Sequence, residues 1–428
     1  MTPISQSELT KDSNPINPYP PNGINIIIVG AGLAGLSAAL ECHRKGMSVR
    51  ILESNSTVNT AGDMFFMGFS ATGIFKHWPE MKEEFDSICL HDAYIETFKH
   101  SGEVIVKAMR VADRLRAQGL DPETPPGTFQ MRPLIYKMFL NQVEKIGIKV
   151  EFNQHVVEYF EDTEAGQGGV ITKQGNRFEA DLVIAADGVG SKSQSLVGGQ
   201  ATSSEKESWN NTIEASEVLE DLEKSHGPTQ WAPIFKELIK CTPPKTIINF
   251  NLLWRDPQPS WTSPGARVVQ IGDSAHSFLP ASGNGATQAI EDGVSIATCL
   301  QKGGKENISQ SIRAHIRFRY LRTACAQKLG FANAELLQET NWDKAKLDPK
   351  KSLPRHPKWV FDHDPEVYAE ENYAKVLESM KKHIPFDADE SIPPNYPPGY
   401  KYEPWSIDQI MEDKKCGRGT DLGSGDWP

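Results

Sequence analysis

The first part of the chain alternates short apolar runs with amphipathic stretches. The run INIIIVG (24–30) is apolar and β-branched and ends in glycine, which is typical of a buried parallel strand. Residues 33–46 have helical spacing with small side chains on one face, and residues 48–54 predict a second strand. The pattern therefore predicts a βαβ unit at the start of an α/β fold.

Further elements are predicted by the same periodicities. Residues 133–147 have the spacing of an amphipathic helix, and residues 170–188 predict a hairpin that leads into the buried strand LVIAA. The run RVVQIGD (267–273) predicts another buried strand, which a helix follows. Between about 201 and 242 the chain is polar, acidic and helical in pattern, and the Pro- and Trp-rich residues after 345 predict an extended wrap.

A long helix is predicted over residues 307–340. It carries a run of arginines, and such a charge run favours a solvated or interdomain helix face over a buried one. These arginines are Arg313, Arg317, Arg319 and Arg322.

Composition narrows the class of protein. A chain of 428 residues can form two or more domains, and its formal net charge of −11 argues against a nucleic-acid partner. The six cysteines are scattered without CxxC spacing, so we predict neither a zinc site nor a disulfide framework. A reducing compartment such as the cytoplasm fits this pattern. The polar segment 1–23 predicts a disordered leader rather than a secretory signal, and no apolar run predicts a membrane span.

A glycine-rich turn joins the first predicted strand to the first helix. In GAGLAG, Gly30, Gly32 and Gly35 have GxGxxG spacing. Gly30 would form the tight turn, Gly32 would let a pyrophosphate approach the backbone, and Gly35 would allow close helix–strand packing. Glu53 ends the second strand, where an acidic residue binds a ribose with a free 2′-hydroxyl. This arrangement predicts a Rossmann-like site for NAD or FAD.

Two later segments bear on the choice of cofactor. Asp187-Gly188 follows the buried strand LVIAA and is equally compatible with an ordinary turn. The stretch IGDSAHSFLPASGNG (271–285) is more specific, because Asp273 can accept hydrogen bonds from sugar-alcohol hydroxyls and the backbone N–H groups after Gly283 can stabilise an anion. His276 lies beside this strand without a Ser or Cys nucleophile, so we expect a structural role.

These motifs occur in one order and at compatible distances. GAGLAG with Glu53, Arg132 at the start of a helix, Asp187-Gly188 and GDSAH-x3-P-x2-GNG together resemble the FAD-dependent aromatic hydroxylases, the class A flavoprotein monooxygenases. The fungal salicylate-hydroxylase-like enzymes of secondary metabolism are especially similar, over most of residues 24–335. The resemblance implies a Rossmann-like FAD-binding domain of the flavoprotein hydroxylase (GR2) type, with FAD as the cofactor.

The resemblance also implies roles for individual residues. Gly30, Gly32 and Gly35, with Leu33 and Ala34 between them, would hold the pyrophosphate. Glu53 would bind the adenosine ribose, and Arg132 would contact the phosphate–ribityl region. Gly62 would line the flavin, Asp273 would bind the ribityl hydroxyls, and Asp187 and Gly188 would also contact the cofactor. Pro280 would lie beside the flavin ring, whose N1–O2 edge would meet backbone donors at Gly283, Asn284, Gly285 and Ala286.

The implied chemistry uses NAD(P)H and O2 as co-substrates. NAD(P)H would reduce FAD, O2 would add to the reduced flavin, and the C4a-hydroperoxide would hydroxylate a small aromatic or polyketide-like substrate. Because the cofactor carries this chemistry, we assign no catalytic triad and leave the catalytic residues open; we predict no metal site.

The chain departs from the family pattern at two places. The Asp-Gly motif of relatives continues to Ser and then Arg; here Ser191 is present, but Gln194 stands at the Arg position, and the nearby Lys192 does not reproduce a guanidinium fork. This departure bears on NAD(P)H use. The interval between Asp187 and Asp273 is also short, so we predict that several strands of the substrate-binding sheet are missing around residues 200–204, with 245–261 as its surviving end.

The resulting domain prediction has five segments. They are a leader (1–23), the first part of the FAD-binding domain (24–200), a reduced substrate domain (201–262), the second part of the FAD-binding domain with its long helix (263–340) and a C-terminal wrap (341–428). Two alternatives to a monooxygenase stay open: a flavin-dependent dehydrogenase or reductase, and a non-catalytic flavin-binding remnant.

Overall fold

The computed structural model describes most of the chain. The described residues are 18–58, 62–90, 93–117, 127–198, 211–226, 231–249, 252–253, 255–338 and 354–427. Residues 1–17 of the predicted leader, and residues 200–204, where strands are predicted to be missing, lie outside them.

Strands occupy the first two thirds of the described chain. They are β1 (Asn25–Val29), β2 (Ser48–Leu52), β3 (Met64–Gly68), β4 (Tyr94–Phe98), β5 (Val104–Arg110), β6 (Gly127–Met131), β7 (Val150–Glu151), β8 (Val156–Asp162), β9 (Gln167–Thr172), β10 (Arg177–Ala180), β11 (Leu182–Ala185) and β12 (Val268–Gln270).

Helices fill the intervals and most of the C-terminal half. They are α1 (Leu33–Arg44), α2 (Phe69–Thr72), α3 (Pro79–Ile88), α4 (Val111–Ala117), α5 (Arg132–Lys145), α6 (Gln194–Val197), α7 (Ala215–His226), α8 (Pro233–Cys241), α9 (Gly285–Gly303), α10 (Ile308–Gln338), α11 (Lys358–Phe361), α12 (Pro365–Lys381) and α13 (Ile407–Lys415).

A parallel sheet with the strand order β12-β11-β1-β2-β7 organises the fold. Its central strand β1 is buried on both faces: Ile26 and Ile28 pack into the core beneath α1 and α9, whereas Ile27 and Val29 pack against the antiparallel sheet β10-β9-β8. Continuous apolar runs are what such a doubly covered strand requires. The predicted α/β fold with a Rossmann-like βαβ unit is therefore confirmed.

Helices α1 and α9 pack closely on one face of this sheet. A Cβ atom at Gly293 of α9 would lie only 2.7 Å from the backbone nitrogen of Ala38 in α1. The glycine thus permits the contact, which brings the N-termini of both helices to the same edge of the sheet. This edge is where the strands β1, β2, β11 and β12 end.

Where the structure describes the interval between β11 and β12, the interval contains three helices and no named strand. The helices are α6, α7 and α8, and the strand-like pairing of the described residues is limited to two isolated bridges, Thr212–Ile248 and Thr262–Val269. The segment 245–261, expected to be the end of a sheet, forms no named strand among its described residues. Pro257 and Pro259 lack the N–H donors that a sheet ladder needs.

The two ends of the chain differ from the prediction. Residues 18–23 were assigned to a disordered leader, yet the backbone N–H of Tyr19 donates to the Arg44 carbonyl at 2.8 Å and that of Asn22 to the Gly46 carbonyl at 2.9 Å. Disorder is therefore wrong for these six residues, because they satisfy backbone carbonyls at the end of α1.

The C-terminal residues are more helical than an extended wrap. Asp364 caps α12 by accepting from the backbone N–H groups of Glu366 and Val367, and Ser406 caps α13 by accepting from Gln409. Around these helices the chain packs on α10, where Tyr400 and Trp427 cover Leu329. None of the helices that the structure describes is both long enough and apolar enough to cross a bilayer.

Candidate cofactor site

One cavity of about 950 Å³ lies at the edge where the parallel strands end. Its wall brings together most of the residues that the sequence assigns to cofactor binding, from segments far apart in the chain. They are Gly30, Gly32, Leu33, Ala34, Glu53, Arg132, Asp187, Gly188, Asp273, Pro280, Gly283, Asn284, Gly285 and Ala286.

The glycine-rich turn forms one end of the cavity. Gly30 has φ +101°, and a Cβ atom there would lie 2.4 Å from the Ala186 carbonyl oxygen, so the turn requires glycine. At Gly32 an added Cβ would meet no atom within 4 Å. This position therefore opens onto the cavity and leaves room for a group to approach the backbone at the N-terminus of α1.

The Glu53 carboxylate lies beside this turn. One oxygen accepts from the backbone N–H of Ala31 at 2.9 Å, and the other accepts from the backbone N–H of Asn55 at 2.8 Å. These bonds hold the buried carboxylate at the end of β2 and connect it to the glycine turn. An acceptor for a ribose hydroxyl is thus fixed in orientation.

Two predicted residues lie behind the cavity wall. A Cβ atom at Gly35 would lie 2.0 Å from the Gly30 carbonyl oxygen, which explains its glycine by helix–strand packing. Gly62 has φ +139°, and its added Cβ would lie 2.5 Å from Cδ of Arg132. The expectation that Gly62 lines the cavity is corrected: it packs against Arg132, which itself forms the wall.

Asp187 connects two parts of the site. Its carboxylate accepts from the Tyr159 hydroxyl of β8 at 2.8 Å and from the Ser274 hydroxyl at 3.3 Å. Burial raises the pKa of Asp187 above its ordinary value, although hydrogen bonds from Ser191 and Tyr159 oppose the rise. Gly188, with φ +81°, turns the chain after this residue.

Asp273 sits on a short turn that α9 holds in place. The Asp292 carboxylate of α9 accepts from the backbone N–H of Gly272 at 2.9 Å and is 2.6 Å from Nε2 of His276. The Asp273 side chain is exposed on the cavity wall, and desolvation by the surrounding protein atoms raises its pKa above the ordinary value. His276 is itself buried and lies outside the wall, in agreement with a structural role.

The other end of the cavity is the N-terminus of α9. Gly283 has φ +60°, which any side chain adopts reluctantly. Asn284 precedes the helix, but its side chain donates to the Ser282 carbonyl at 2.8 Å and does not cap the helix. Gly285 and Ala286, the first residues of α9, line the cavity, so an anionic group there would meet uncapped helix N–H groups.

Arg132 begins α5 and closes the side of the cavity. Its guanidinium carbon lies 5.9 Å from the ring centre of Tyr136, one turn later on the same helix. Burial lowers the pKa of Arg132 from its ordinary value, but an arginine stays charged at neutral pH. The cavity wall thus contains a partly buried cation.

Sequence reasoning missed an aromatic part of the wall. Phe66 of β3 contacts Phe129 of β6 edge-on at 5.5 Å between ring centres, and His356 lies 4.8 Å from the Phe66 ring. An added Cβ at Gly283 would be 3.6 Å from Phe66, which places this group beside the α9 end. The strand pairing β3–β6 brings the two rings together, a contact that no local pattern in the sequence indicates.

The arginines of α10 correct another expectation. Arg319 and Arg322 are 1% and 0% exposed, and they pair with Glu291 and Asp292 of α9 rather than facing solvent. Burial alone would raise the pKa of Glu291, but the charges of Arg322 and Arg319 lower it well below its ordinary value. Only Arg313 of this run is on the surface, and Arg317 is partly buried.

The fold and the site together define a dinucleotide-cofactor-binding α/β protein. A glycine turn, an acid at the end of β2 and a second helix N-terminus face one cavity at the carboxyl ends of parallel strands, which is where such proteins bind their cofactors. Residues 24–237 match the family model described as FAD binding domain.

The relatives identify the family more narrowly. The FAD-dependent monooxygenase fsr3 of Gibberella fujikuroi is 35% identical over 96% of this chain and 90% of its own length. The FAD-dependent monooxygenase mdpD of Emericella nidulans is 34% identical over 96% of this chain and 91% of its own length. The chain belongs to the family of FAD-dependent monooxygenases, and the resemblance drawn from the motifs is confirmed.

Solved structures agree with this assignment. The crystal structure of CtdE in complex with FAD and a substrate is 26% identical, covers 84% of this chain and 100% of that chain, and has a TM-score of 0.68. A salicylate hydroxylase substrate complex, at 16% identity and a TM-score of 0.54, supports the fold alone. The alignment with fsr3 spans 486 residues, more than the 428 of this chain, so that relative carries residues without a counterpart here.

Proposed function

We propose that this monooxygenase binds FAD along the whole cavity and uses NAD(P)H and O2 to hydroxylate a small aromatic or polyketide-like substrate in secondary metabolism. The observation that carries the proposal is the single cavity that runs from the glycine turn to the N-terminus of α9. An extended dinucleotide can reach both ends, and the open space above Gly32 suits its pyrophosphate.

Each end of the cavity has a distinct task in this proposal. Gly30, Gly32, Leu33, Ala34 and Glu53 hold the adenosine diphosphate part, because backbone donors and a helix N-terminus favour phosphate and a carboxylate favours a ribose. Arg132 neutralises charge in the middle of the cavity. Gly35 and Gly62 act indirectly, since they allow the glycine turn and Arg132 to take up their positions.

The α9 end would orient the flavin ring. Asp273 would accept hydrogen bonds from the ribityl hydroxyls, Pro280 would lie beside the ring, and backbone N–H groups between Gly283 and Ala286 would stabilise negative charge on the reduced ring. Asp187 and Gly188 would hold the adjoining loop. Bound FAD would supply the redox chemistry and the activation of oxygen, while these residues bind it, orient it and exclude water.

The aromatic wall supports an aromatic substrate. Phe66 and Phe129 present apolar rings next to the proposed flavin-ring end, and such rings stack on or pack edge-on against planar aromatic ligands. The relatives named as FAD-dependent monooxygenases come from fungi, and this supports a place in fungal secondary metabolism.

The test combines a spectrum with a substrate screen. Purified protein should carry a flavin absorbance or regain it with FAD, and a panel of phenolic acids and polyketide-like phenols should accelerate NADPH or NADH oxidation. The product of an active combination should gain the mass of one oxygen atom. A colourless protein that FAD does not reconstitute would refute the proposal.

The same experiment separates the two alternatives. A product that loses two hydrogens without gaining oxygen would indicate a dehydrogenase. A protein that binds FAD but oxidises NAD(P)H no faster with any compound would indicate a flavin-binding remnant. The observation that favours this remnant is that the described residues between β11 and β12 form no named strand.

A further inference from the structure

A buried arginine from the middle segment reaches the candidate site. Arg255 is 5% exposed and belongs to the interval between β11 and β12. Its guanidinium donates to the Ser274 carbonyl at 2.8 Å and to the Val189 carbonyl. Burying a cation destabilises the folded state unless its N–H groups donate hydrogen bonds. Here both acceptors are backbone carbonyls of loops that line the cavity.

The two acceptors belong to the loops that present the two cavity aspartates. Val189 follows Asp187-Gly188, and Ser274 follows Asp273. The loops are joined directly by the bond from the Ser274 hydroxyl to Asp187, which is long at 3.3 Å. Arg255 therefore provides a second and stronger connection, because a planar guanidinium can bridge two carbonyls in a fixed geometry.

Gln194 contacts the same place from the other side. Its amide nitrogen donates to the Ser274 carbonyl at 3.0 Å, the acceptor that Arg255 also uses. Gln194 stands where the family pattern has arginine. The side chain at position 194 and the head of Arg255 are thus neighbours that share an acceptor.

We infer that Arg255 is a positioning residue for the flavin, which supplies from the middle segment the guanidinium that position 194 lacks. It holds the loop after Asp187 and the turn around Asp273 in one arrangement, so that Asp273 and the α9 N-terminus face the same ligand. The inference rests on the proposed binding of FAD and extends it to the shortened segment, which becomes part of the site.

The backbone around Arg255 is itself anchored by two helices of the C-terminal half. The Asp256 carboxylate accepts from the backbone N–H of Ile407, the first residue of α13, at 2.7 Å. On α10, the Gln327 amide nitrogen donates to the Arg255 carbonyl at 3.4 Å and to the Ser277 carbonyl at 2.8 Å. These contacts come from α10 and α13, and they hold in place the backbone from which the Arg255 side chain extends.

The test moves the arginine rather than only removing it. FAD affinity is measured by fluorescence titration of the apoprotein for the wild type, Arg255→Gln and the double variant Gln194→Arg/Arg255→Gln. Arg255→Gln should weaken FAD binding on the order of tenfold or more, because it removes charge-assisted bonds to two buried carbonyls. The double variant should recover most of the affinity, and the visible circular dichroism of the bound flavin should change and recover in parallel.

Two further proteins keep the test decisive. Arg313→Gln removes a surface arginine that donates to the Pro264 carbonyl, and its FAD affinity should equal that of the wild type. Arg255→Lys keeps the charge and loses the fork, so it should fold, bind FAD several-fold more weakly and respond to Gln194→Arg. If Arg255→Gln does not fold, the comparison of Arg255→Lys with Gln194→Arg/Arg255→Lys tests the inference instead.

The outcomes separate this inference from the proposed function. Loss of FAD binding in the wild type would refute the proposed function. Wild-type binding with an unchanged affinity in Arg255→Gln would overturn the role of Arg255. A failure of Gln194→Arg to rescue the weakened Arg255→Gln variant would also overturn it. That result would mean that Arg255 only ties the middle segment to the protein, because an arginine at position 194 cannot restore such a tie.

Discussion

Asp273 shows how a single residue can oppose folding and favour binding. In the described structure its carboxylate is exposed on the cavity wall, and partial desolvation by the protein raises its pKa. A carboxyl whose pKa is higher in the folded protein than in the unfolded chain destabilises the folded state as the pH rises past its unfolded pKa. The loss of stability from the Asp273 carboxylate is offset if hydroxyl groups of a bound ligand donate hydrogen bonds to it.

The variant Asp273→Asn tests both effects. At neutral pH the apoprotein should melt at a temperature higher by no more than about 1 °C, because a partly desolvated charge is gone but solvent screens most of its cost. This difference should vanish towards about pH 4, where the wild-type carboxyl becomes protonated. The same variant should bind FAD about tenfold more weakly, since a charged acceptor has been replaced by a neutral one.

The matched control is Asp221→Asn on α7, whose side chain is 73% exposed and outside the cavity. It should change neither the melting temperature nor the FAD affinity. An Asp273→Asn protein that binds FAD as tightly as the wild type would remove Asp273 from the site. Melting by differential scanning fluorimetry and titration with FAD measure the two quantities separately.

At the scale of elements, α9 serves both the site and the core. Its N-terminus faces the cavity, and its middle carries Glu291 and Asp292, which pair with the buried arginines of α10. Asp292 also holds the turn that presents Asp273. The orientation of the helix N-terminus therefore depends on an ion-pair network a few turns away.

Removing one cation from this network should be costly. Arg322 pairs with Glu291 and also donates to the carbonyls of Trp359, Val360 and Asn395 in the C-terminal segment. Arg322→Met should lower the free energy of unfolding by about 3–5 kcal/mol, because it removes one of the two guanidinium partners of the buried Glu291 carboxylate and leaves several carbonyls without a donor.

Urea denaturation followed by far-ultraviolet circular dichroism measures this loss. Arg313→Met, on the surface of the same helix, should change the free energy by no more than about 0.5 kcal/mol. The double variant Arg322→Met/Glu291→Met should recover only part of the loss, since the three carbonyls stay unsatisfied. A cost below about 1 kcal/mol for Arg322→Met would contradict a buried network.

The elements show what sequence can and cannot predict. Strands β1, β11 and β12 and the long helix α10 were predictable because their apolar runs and helical spacing are local. Burial of Arg322 was not, because a charge run on a helix has the same pattern whether its partners are water or a neighbouring helix. The contact of Arg255 with Ser274 also depends on tertiary packing, and its sequence neighbours contain no sign of it.

The candidate site divides in the same way. Gly30, Gly32 and Glu53 could be assigned from spacing, since a strand, a turn and a helix fix their relative positions. Phe66 and His356 could not, because β3–β6 pairing and the C-terminal segment bring them to the cavity. Gly62 was assigned to the wall but packs behind Arg132, a distinction of a few ångströms that spacing does not resolve.

At the scale of the whole molecule, the cavity is one site assembled from distant parts of the chain. The glycine turn and Glu53 belong to the first βαβ unit, whereas Asp273 and the α9 N-terminus follow β12. A dinucleotide that joins the two ends gains affinity because its second half binds at a high effective concentration. The protein should therefore also bind each half of the dinucleotide on its own, but with lower affinity.

Fragments of FAD should distinguish the two ends. Gly32→Val fills open space at a backbone with ordinary φ, so it should fold normally, yet lower the affinity for ADP by on the order of tenfold or more by blocking the pyrophosphate. Asp273→Asn should leave ADP binding unchanged and weaken binding of riboflavin. Both variants should lower the affinity for FAD, because FAD occupies both ends of the cavity.

Isothermal titration calorimetry of ADP, riboflavin and FAD with the wild type and the two variants gives nine affinities. If Gly32→Val and Asp273→Asn impaired ADP and riboflavin equally, the cavity would not be divided as proposed, and the assignment of Asp273 to the flavin end would be wrong.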